Sequence, residues 1–344
     1  MATQPGSAVG MAESYNENSD PQLAIISLMI PYIHMGIDEL DISSSSPLII
    51  ADFGSSLGKN SIIAMKIFLK YLQQTNKLVT SPLIVHNDLP TNDWTTLFQL
   101  LSEDKSYQGV ANGYSFYQQC LPKNSLSMGF TASSMHWLSK IPFNITNHCF
   151  HTYGELHERQ AYKHQAKLDF NSFIEHRSNE LVSGGILVLS IPSYDDQGME
   201  SMSNYFDQLY ICAQSFFNQQ QLSNFTIPIY LRSLSECIDN ELFDRCSLKL
   251  IKAELSQLKV PTLELYHNGQ LTFDQLVKIF TKVFQSTMDP LIKQILGMNA
   301  RSKEETDKLS GEFWMVYEEK LKERPDLVIN GNQYVCACLI LKKI

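Results

Sequence analysis

Two acidic residues at the ends of short apolar runs are the first candidates for chemistry. Asp52 sits in LIIADFGSSLGKN (48–60), where a Leu/Ile run is followed by an acid and then by Gly54 and Gly58 around Ser55 and Ser56. The order reads as buried parallel strand, tight turn and helix, because glycine takes backbone angles that residues with a Cβ avoid. The turn's amides and the helix N-terminus would face whatever lies beyond the strand's carboxyl end. That geometry suits a nucleotide-like ligand, although similar turns occur in α/β proteins that bind none. Asp88 follows a second apolar run, 83–85, in HNDLPTND. A carboxylate there can meet ribose hydroxyls; a solvated loop aspartate is the equal alternative. Its separation from Asp52 exceeds the roughly 20 residues of the dinucleotide fingerprint, which argues against a nicotinamide cofactor.

His136 and Trp137, in TASSMHWLSKIP (131–142), follow another strand's carboxyl end, the ligand edge of an open parallel sheet. Core packing is the commoner fate of a lone tryptophan. His148, Cys149, His151, His157 and His164 form a histidine-rich patch, but HCFH matches no recurring zinc spacing, so no metal is expected. The 344 residues carry a net charge of −9 and no basic stripe, which argues against a nucleic-acid surface. Seven cysteines, an odd number without a CxxC pair, fit a reducing compartment. The polar first twenty residues lack the apolar core of a signal peptide, so a cytoplasmic location without a membrane partner is expected.

The elements that must position these residues follow from periodicity. Residues 1–20 read as a loop or arm, and Leu23, Ile26, Ile30, Ile33 and Ile37 predict a helix over 21–40. A loop at 43–46 precedes the first strand. A helix over 62–72, strands at 83–85, 109–112 and 125–130, and a long helix over 158–181 follow. Ser183-Gly184-Gly185 is the expected end of that helix, before a fifth strand at 186–191. Beyond Pro192 amphipathic helices are expected over 199–221, 234–244 and 271–296, with strands at 261–266 and 334–341. The architecture expected is α/β: an arm (1–22), a cofactor-binding core (23–198), a mainly helical cap (199–330) and a final core strand (331–344).

Seven segments, in order, resemble the plant-type SABATH methyltransferases, which include salicylate, benzoate and jasmonate carboxyl methyltransferases and caffeine-pathway N-methyltransferases. They are ESYNENSDPQ (13–22), IADFGSSLGKN (50–60), NDLPTND (87–93), YSFYQQCLPKNSL (114–126), SSMHWLSKIP (133–142), DFNSFIEHRSNELVSGGILVLSI (169–191) and NFTIPIY (224–230). Weaker similarity continues through Met288-Asp289-Pro290-Leu291. The resemblance implies a Rossmann-like class I methyltransferase fold with a mostly parallel seven-stranded sheet, S-adenosylmethionine as cofactor, and commonly a homodimer. It implies that residues matching Tyr15, Asp52, Asn60, Asp88, Leu89, Ser115 and Phe116 surround the cofactor, with Gly54 and Ser55 in its turn. Positions matching Gln22 and Trp137 hold the acceptor carboxylate in carboxyl-methylating members; both side chains are hydrogen-bond donors. Ser133 and His136 match variable pocket positions. Tyr205, Tyr230 and Phe284 are candidates to line the pocket from the cap, with core packing the equal alternative for each.

The departures from the family pattern are specific. The arm lysine has no match in 7–11, and Leu57 and Lys59 replace a frequent serine and proline. Ser223 stands where some plant members carry the acid of a magnesium site, so none is expected. The segment from 199 onward is shorter than in plant members, and a salicylate-like acceptor fits poorly. With Gln22 and Trp137 retained, the expected activity is methyl transfer to the carboxylate of a small, largely apolar acid. N-methylation of a purine-like heterocycle and a non-catalytic binding role are the alternatives.

Overall fold

The computed structural model describes residues 10–43, 47–78, 81–194, 202–330 and 334–344. A short 3-10 turn, Glu13–Glu17, leads into α1 (Asp20–Leu28) and α2 (Ile30–Glu39), so the helix expected over 21–40 is two helices meeting at Met29. Pro21 and Pro31 occupy their first turns, where proline's missing N–H leaves no bond unmade. There follow β1 (Ile49–Phe53), α3 (Lys59–Gln74), β2 (Leu83–Asn87), α4 (Trp94–Glu103), β3 (Gln108–Asn112), β4 (Leu126–Ala132), α5 (Leu156–Glu180) and β5 (Leu181–Ser193). The later chain contributes α6 (Ser203–Phe216), α7 (Gln219–Asn224), α8 (Asn240–Arg245), β6 (Leu248–Leu258), α9 (Pro261–His267) and α10 (Phe273–Leu296). Then come α11 (Lys303–Lys322), α12 (Pro325–Asn330) and β7 (Tyr334–Lys343).

The sheet has seven strands in the order β3-β2-β1-β4-β5-β7-β6. β1 to β5 are mutually parallel, and β7 is antiparallel to both neighbours, β5 and β6. Strand order reverses between β1 and β4, which opens a crevice at their carboxyl ends. Alternation along each strand divides the core into two layers. Ile50, Ile84, Met128, Val188, Cys338 and Ile340 meet α1, α2 and α3, whereas Ala51, Phe53, Val85, Leu187 and Leu339 meet Phe170, Phe173 and Ile174 of α5. A third cluster lies in the cap, where Tyr205, Phe206, Phe280, Phe284, Phe313 and Tyr317 pack between α6, α10 and α11.

Four expectations need correction. Residues 261–266 are helical, because Pro261 opens the first turn of α9. The strand is β6, an edge strand whose sequence LKLIKAELSQL mixes apolar with charged residues. Ser183-Gly184-Gly185 does not end a helix: α5 stops at Glu180 and β5 begins at Leu181. Gly184 has φ of 79°, and a Cβ there would strike the backbone of Asp41, whose amide donates to the Gly184 carbonyl at 3.1 Å. Residues 234–244 form a 3-10 turn, Ser235–Cys237, and then α8, while α6 and α7 divide 199–221. α8 and β6 belong to the core, although both fall within 199–330; the boundary at 198/199 lies outside the described residues.

One buried ion pair secures the loop after β3. Arg177 and Glu180 are both fully buried, bonded at 2.8 Å (Nε–Oε2) and 2.7 Å (Nη2–Oε1). Arg177 also donates to the carbonyls of Phe116 (2.7 Å) and Gln118 (2.8 Å), and its guanidinium lies 4.2 Å from the centroid of the Phe53 ring. Glu180 Oε1 accepts the amides of Cys120 (2.6 Å) and Leu121 (3.0 Å). Arg177→Met would leave Glu180 charged and unpaired, and about 3–5 kcal/mol of stability should be lost in urea unfolding. The double variant Arg177→Met/Glu180→Leu should recover part of that loss; additive losses would contradict the pairing.

Candidate functional site

The glycine turn after β1 is held open by groups from the end of β2. Gly54 and Gly58 have φ of 100° and 101°, and Ser56 between them has φ of 49°. The carbonyl of Asn87 accepts both the Gly54 amide (2.8 Å) and the Ser55 amide (2.9 Å). Asp88 Oδ2 accepts the Ser56 amide at 2.7 Å, and its Oδ1 accepts the Leu89 amide at 2.7 Å. The Asn92 side chain donates to the Ser56 carbonyl at 2.8 Å. Each Asp88 oxygen keeps a further acceptor direction for a ligand, since a carboxylate offers about four. The Asn87 side chain donates to Asn112 Oδ1 (2.9 Å) and the Tyr114 carbonyl (2.8 Å), which positions the chain just before Ser115 and Phe116.

Over this turn lies a cavity of about 570 Å³ lined by Tyr15, Gln22, Gly54, Asp88, Leu89, Ser115, Phe116, Ser133, His136, Trp137, Tyr205 and Phe284. A void of about 30 Å³ beside it is lined by Asp52, Ser55 and Asn60 and shares Tyr15, Gln22 and Gly54 with the larger space. Of the residues expected to hold the cofactor or line the acceptor pocket, Tyr230 is the exception: it lines neither. Its ring packs near His151, and its hydroxyl donates to Glu236 at 3.2 Å. It forms a small core with Leu138, Ile145, Tyr162 and Ala166. His148 and His151 are buried outside the cavity, with the His148 ring stacked on Tyr153. Among the described residues no group of three or more His, Cys, Asp or Glu is placed to hold a metal ion.

The N-terminal arm and the cap close the cavity. Lys59 Nζ donates to the Asn16 carbonyl (2.8 Å), the Asn60 side chain donates to the Ser19 carbonyl (3.2 Å), and the Ala12 amide donates to the Ser286 carbonyl of α10 (2.9 Å). Lys59, where the family often has proline, thus ties the arm to the start of α3. Sequence reasoning missed Tyr334, at the start of β7, whose hydroxyl meets Ser133 Oγ at 3.0 Å inside the cavity. It also missed Asp169, which accepts from the Ser139 amide (2.9 Å) and the Gln165 side chain (2.8 Å) at the cavity wall. Helical spacing along α5 places Gln165 and Asp169 one turn apart on a common face, the one signal that could have paired them.

The electrostatics call for a cation. Burial raises Asp52 to about 7; the Ser61 hydroxyl opposes the shift and the charge of Asp88 adds to it. Burial also raises Asp88, against the amides of Leu89 and Ser56. The Tyr15 phenol is pushed above its ordinary value by burial and by the two acids. Buried Gln22 Oε1, Ser55 Oγ and Asn60 Oδ1 have no partner among the described residues. Two strained acids, open acceptors and a turn without side chains at its glycines fit the ammonium, sulfonium and ribose of S-adenosylmethionine. His136 is driven down to about 3 by burial and by Arg232, so its ring is neutral, and its Nδ1 lacks a partner among the described residues.

The crevice at the strand-order reversal, the glycine turn and the paired acids define a Rossmann-like enzyme of the methyltransferase class. The chain belongs to the S-adenosylmethionine-dependent carboxyl methyltransferase family, whose model matches residues 7–343. It is 32% identical over 68% of its length to the farnesoic acid carboxyl-O-methyltransferase of Arabidopsis thaliana, covering 76% of that protein. To the loganic acid O-methyltransferase of Catharanthus roseus it is 25% identical, over 83% of this chain and 89% of that one. A solved loganic acid methyltransferase with S-adenosylhomocysteine superposes with a TM-score of 0.81 at 22% identity, over 98% of each chain. The enzyme is therefore an S-adenosylmethionine-dependent carboxyl O-methyltransferase.

A cationic ligand favours ionised Asp52, so below about pH 7 binding must also displace a proton, and affinity should weaken as pH falls. Calorimetry with S-adenosylmethionine in buffers of different ionisation enthalpy should show proton release near neutral pH. Asp52→Asn should remove that release and flatten the profile from about pH 6 to about pH 8. Equal proton release in wild type and variant would contradict the assignment.

Proposed function

We propose that the acceptor is a small, largely apolar carboxylic acid, converted to its methyl ester. The observation that carries this reading is the cavity wall supplied by the cap. Tyr205 and Phe284, stacked with centroids 5.1 Å apart, join Phe280, Val283 and Met288 on one side of a space that also exposes Trp137 and Gln22. An aromatic and aliphatic wall stabilises an apolar body, while a few convergent polar groups fix the carboxylate. The residues proposed to hold the cofactor are Tyr15, Asp52, the Gly54 turn, Asn60, Asp88, Leu89, Ser115 and Phe116.

S-adenosylmethionine, when bound, supplies an electrophilic sulfonium methyl group. The chain's task is to orient the acceptor and keep water out. A carboxylate is already ionised at neutral pH, so no strong base is required. Trp137, whose indole N–H has no partner among the described residues, and Gln22 are assigned to grip the acceptor carboxylate at attack distance. His136, neutral down to about 3, is a poor base, which disfavours acceptors that must shed a nitrogen proton. The ring lines the cavity, with its buried Nδ1 unpartnered among the described residues.

All seven cysteines are free, which supports the cytoplasmic reading, and among the described residues no helix is long and apolar enough to cross a membrane. The homodimer implied by the family resemblance is a matter for light scattering.

With labelled S-adenosylmethionine and a panel of small acids, the product should be a base-labile ester. A base-stable methylated product would favour a nitrogen acceptor, and failure to bind the cofactor or its homocysteine product would favour a non-catalytic role. Trp137→Phe should lower kcat/KM by about tenfold or more through loss of one hydrogen bond to a charged group, with affinity for S-adenosylhomocysteine held within about twofold. Parallel losses in both would remove Trp137 from acceptor positioning.

A further inference from the structure

His86 is fully buried in β2, beneath the wall of the cavity rather than in it. Strand register pairs it with Asp52 of β1 on one side and Ala111 of β3 on the other, so its side chain shares a sheet face with that of Asp52. α3 covers this face and places Ser61, itself buried, against both. Ser61 Oγ lies 2.8 Å from His86 Nδ1, and Ser61 lines the small void together with Asp52, whose carboxyl its hydroxyl holds below where burial alone would put it. On the far side of the ring, His86 Nε2 is 3.1 Å from the hydroxyl of Tyr107, which stands just before β3. Tyr107, His86 and Ser61, from three segments, form one hydrogen-bonded line that leads toward Asp52, an acid lining the small void.

The direction of that line follows from counting protons. Burial holds His86 down to about 4, so at neutral pH the ring has one N–H and one bare nitrogen. Burial and the charges of Asp104 and Asp52 raise the Tyr107 phenol, so its O–H is retained. If Tyr107 donates to Nε2, the ring proton sits on Nδ1 and goes to Ser61 Oγ, and the serine proton is left for Asp52. Tyr107, His86 and Ser61 are then all satisfied, with the serine proton free to turn toward the acid. In the other tautomer Ser61 must donate to the ring, and a buried carboxylate loses its donor, the costlier arrangement. The other titratable groups that bear on Asp52 are Asp88, beyond β2, and Tyr15, from the arm.

We propose that His86 is a positioning residue: fixed as the Nδ1–H tautomer between Tyr107 and Ser61, it aims the serine hydroxyl at Asp52 and so keeps that acid ionised for a cationic cofactor. The inference rests on the cofactor reading above, and it concerns a residue that touches neither cofactor nor acceptor.

Nitrogen-15 spectra of the ligand-free wild type, with the His86 signals identified by their loss in His86→Gln, should show a protonated Nδ1 and a bare Nε2; the opposite tautomer would overturn the proposal. Calorimetry with S-adenosylhomocysteine is the second test. His86→Leu should weaken binding about tenfold near neutral pH and little at about pH 9, where Asp52 ionises unaided. Tyr107→Phe should shift affinity in the same sense, and His86→Gln, whose amide can donate to Ser61, should recover part of it. Uniform weakening at every pH, with no rescue by His86→Gln, would mean a packing role only and overturn the proposal, as would variants indistinguishable from wild type. If wild type itself fails to bind S-adenosylhomocysteine, the cofactor reading falls, while the tautomer spectrum still decides the direction of the chain.

Discussion

A parallel sheet ends in loops whose backbone groups have no neighbouring strand to satisfy them, and this protein meets that constraint at Asn87 and Asp88. One carbonyl accepts two amides of the glycine turn, and one carboxylate accepts a third while bonding the amide that follows it. The turn cannot relax into a tighter loop without breaking these bonds, each leaving a buried group unpaired. The Asn87 side chain extends the same control to the strand end beyond, and Arg177 with Glu180 fixes the loop from Phe116 to Leu121. The floor of the cavity is therefore rigid by construction. Its acids are held close together without a cationic side chain bonded to either among the described residues, a charge arrangement that a cationic ligand relieves.

What could be read from residue order was what depends on residue order. The turn at 54–58 was visible because positive φ is a local demand that glycine meets. Asp52 and Asp88 were visible because apolar runs mark strands and strand ends mark the ligand edge. Tyr230 looked like Tyr205, an aromatic residue near a cap helix, and only packing separates the one against His151 from the other beside Phe284. Tyr334 reaches Ser133 across two hundred and one positions, which no spacing rule detects. β6 escaped notice because an edge strand carries Lys and Glu among its apolar residues, and Gly184 misled because a glycine under a crossing backbone looks in sequence like a glycine ending a helix.

The cavity divides its labour between two packing units. Its floor comes from the glycine turn and the loops at the carboxyl ends of the parallel strands, its roof from α6 and α10. α10 is itself anchored through Asp289, buried and accepting from Trp314 Nε1 at 2.8 Å, with Ser310 and Lys293 also bonded to it. Met288, next to that anchor, reaches the cavity, so the roof's shape is set by contacts on the side of α10 facing α11. Substitutions in the roof can reshape the acceptor's share of the space while the bonds around Asn87 and Asp88 remain intact. Within one family, acids of different size can be served by one floor and many roofs.

The last strand adds a constraint of another kind. β7 lies inside the sheet, with β5 on one side and β6 on the other, and both pairings are long. On the ribosome, the six other strands of the described sheet are made before it. Until β7 emerges, β5 presents an open apolar edge and β6 has no partner, the state in which nascent chains associate with one another. The sheet can zip up in its final order only when the strand at its interior arrives, so a chaperone that shields β5 during synthesis would act on a gap left by strand order and not on any defect of the finished fold.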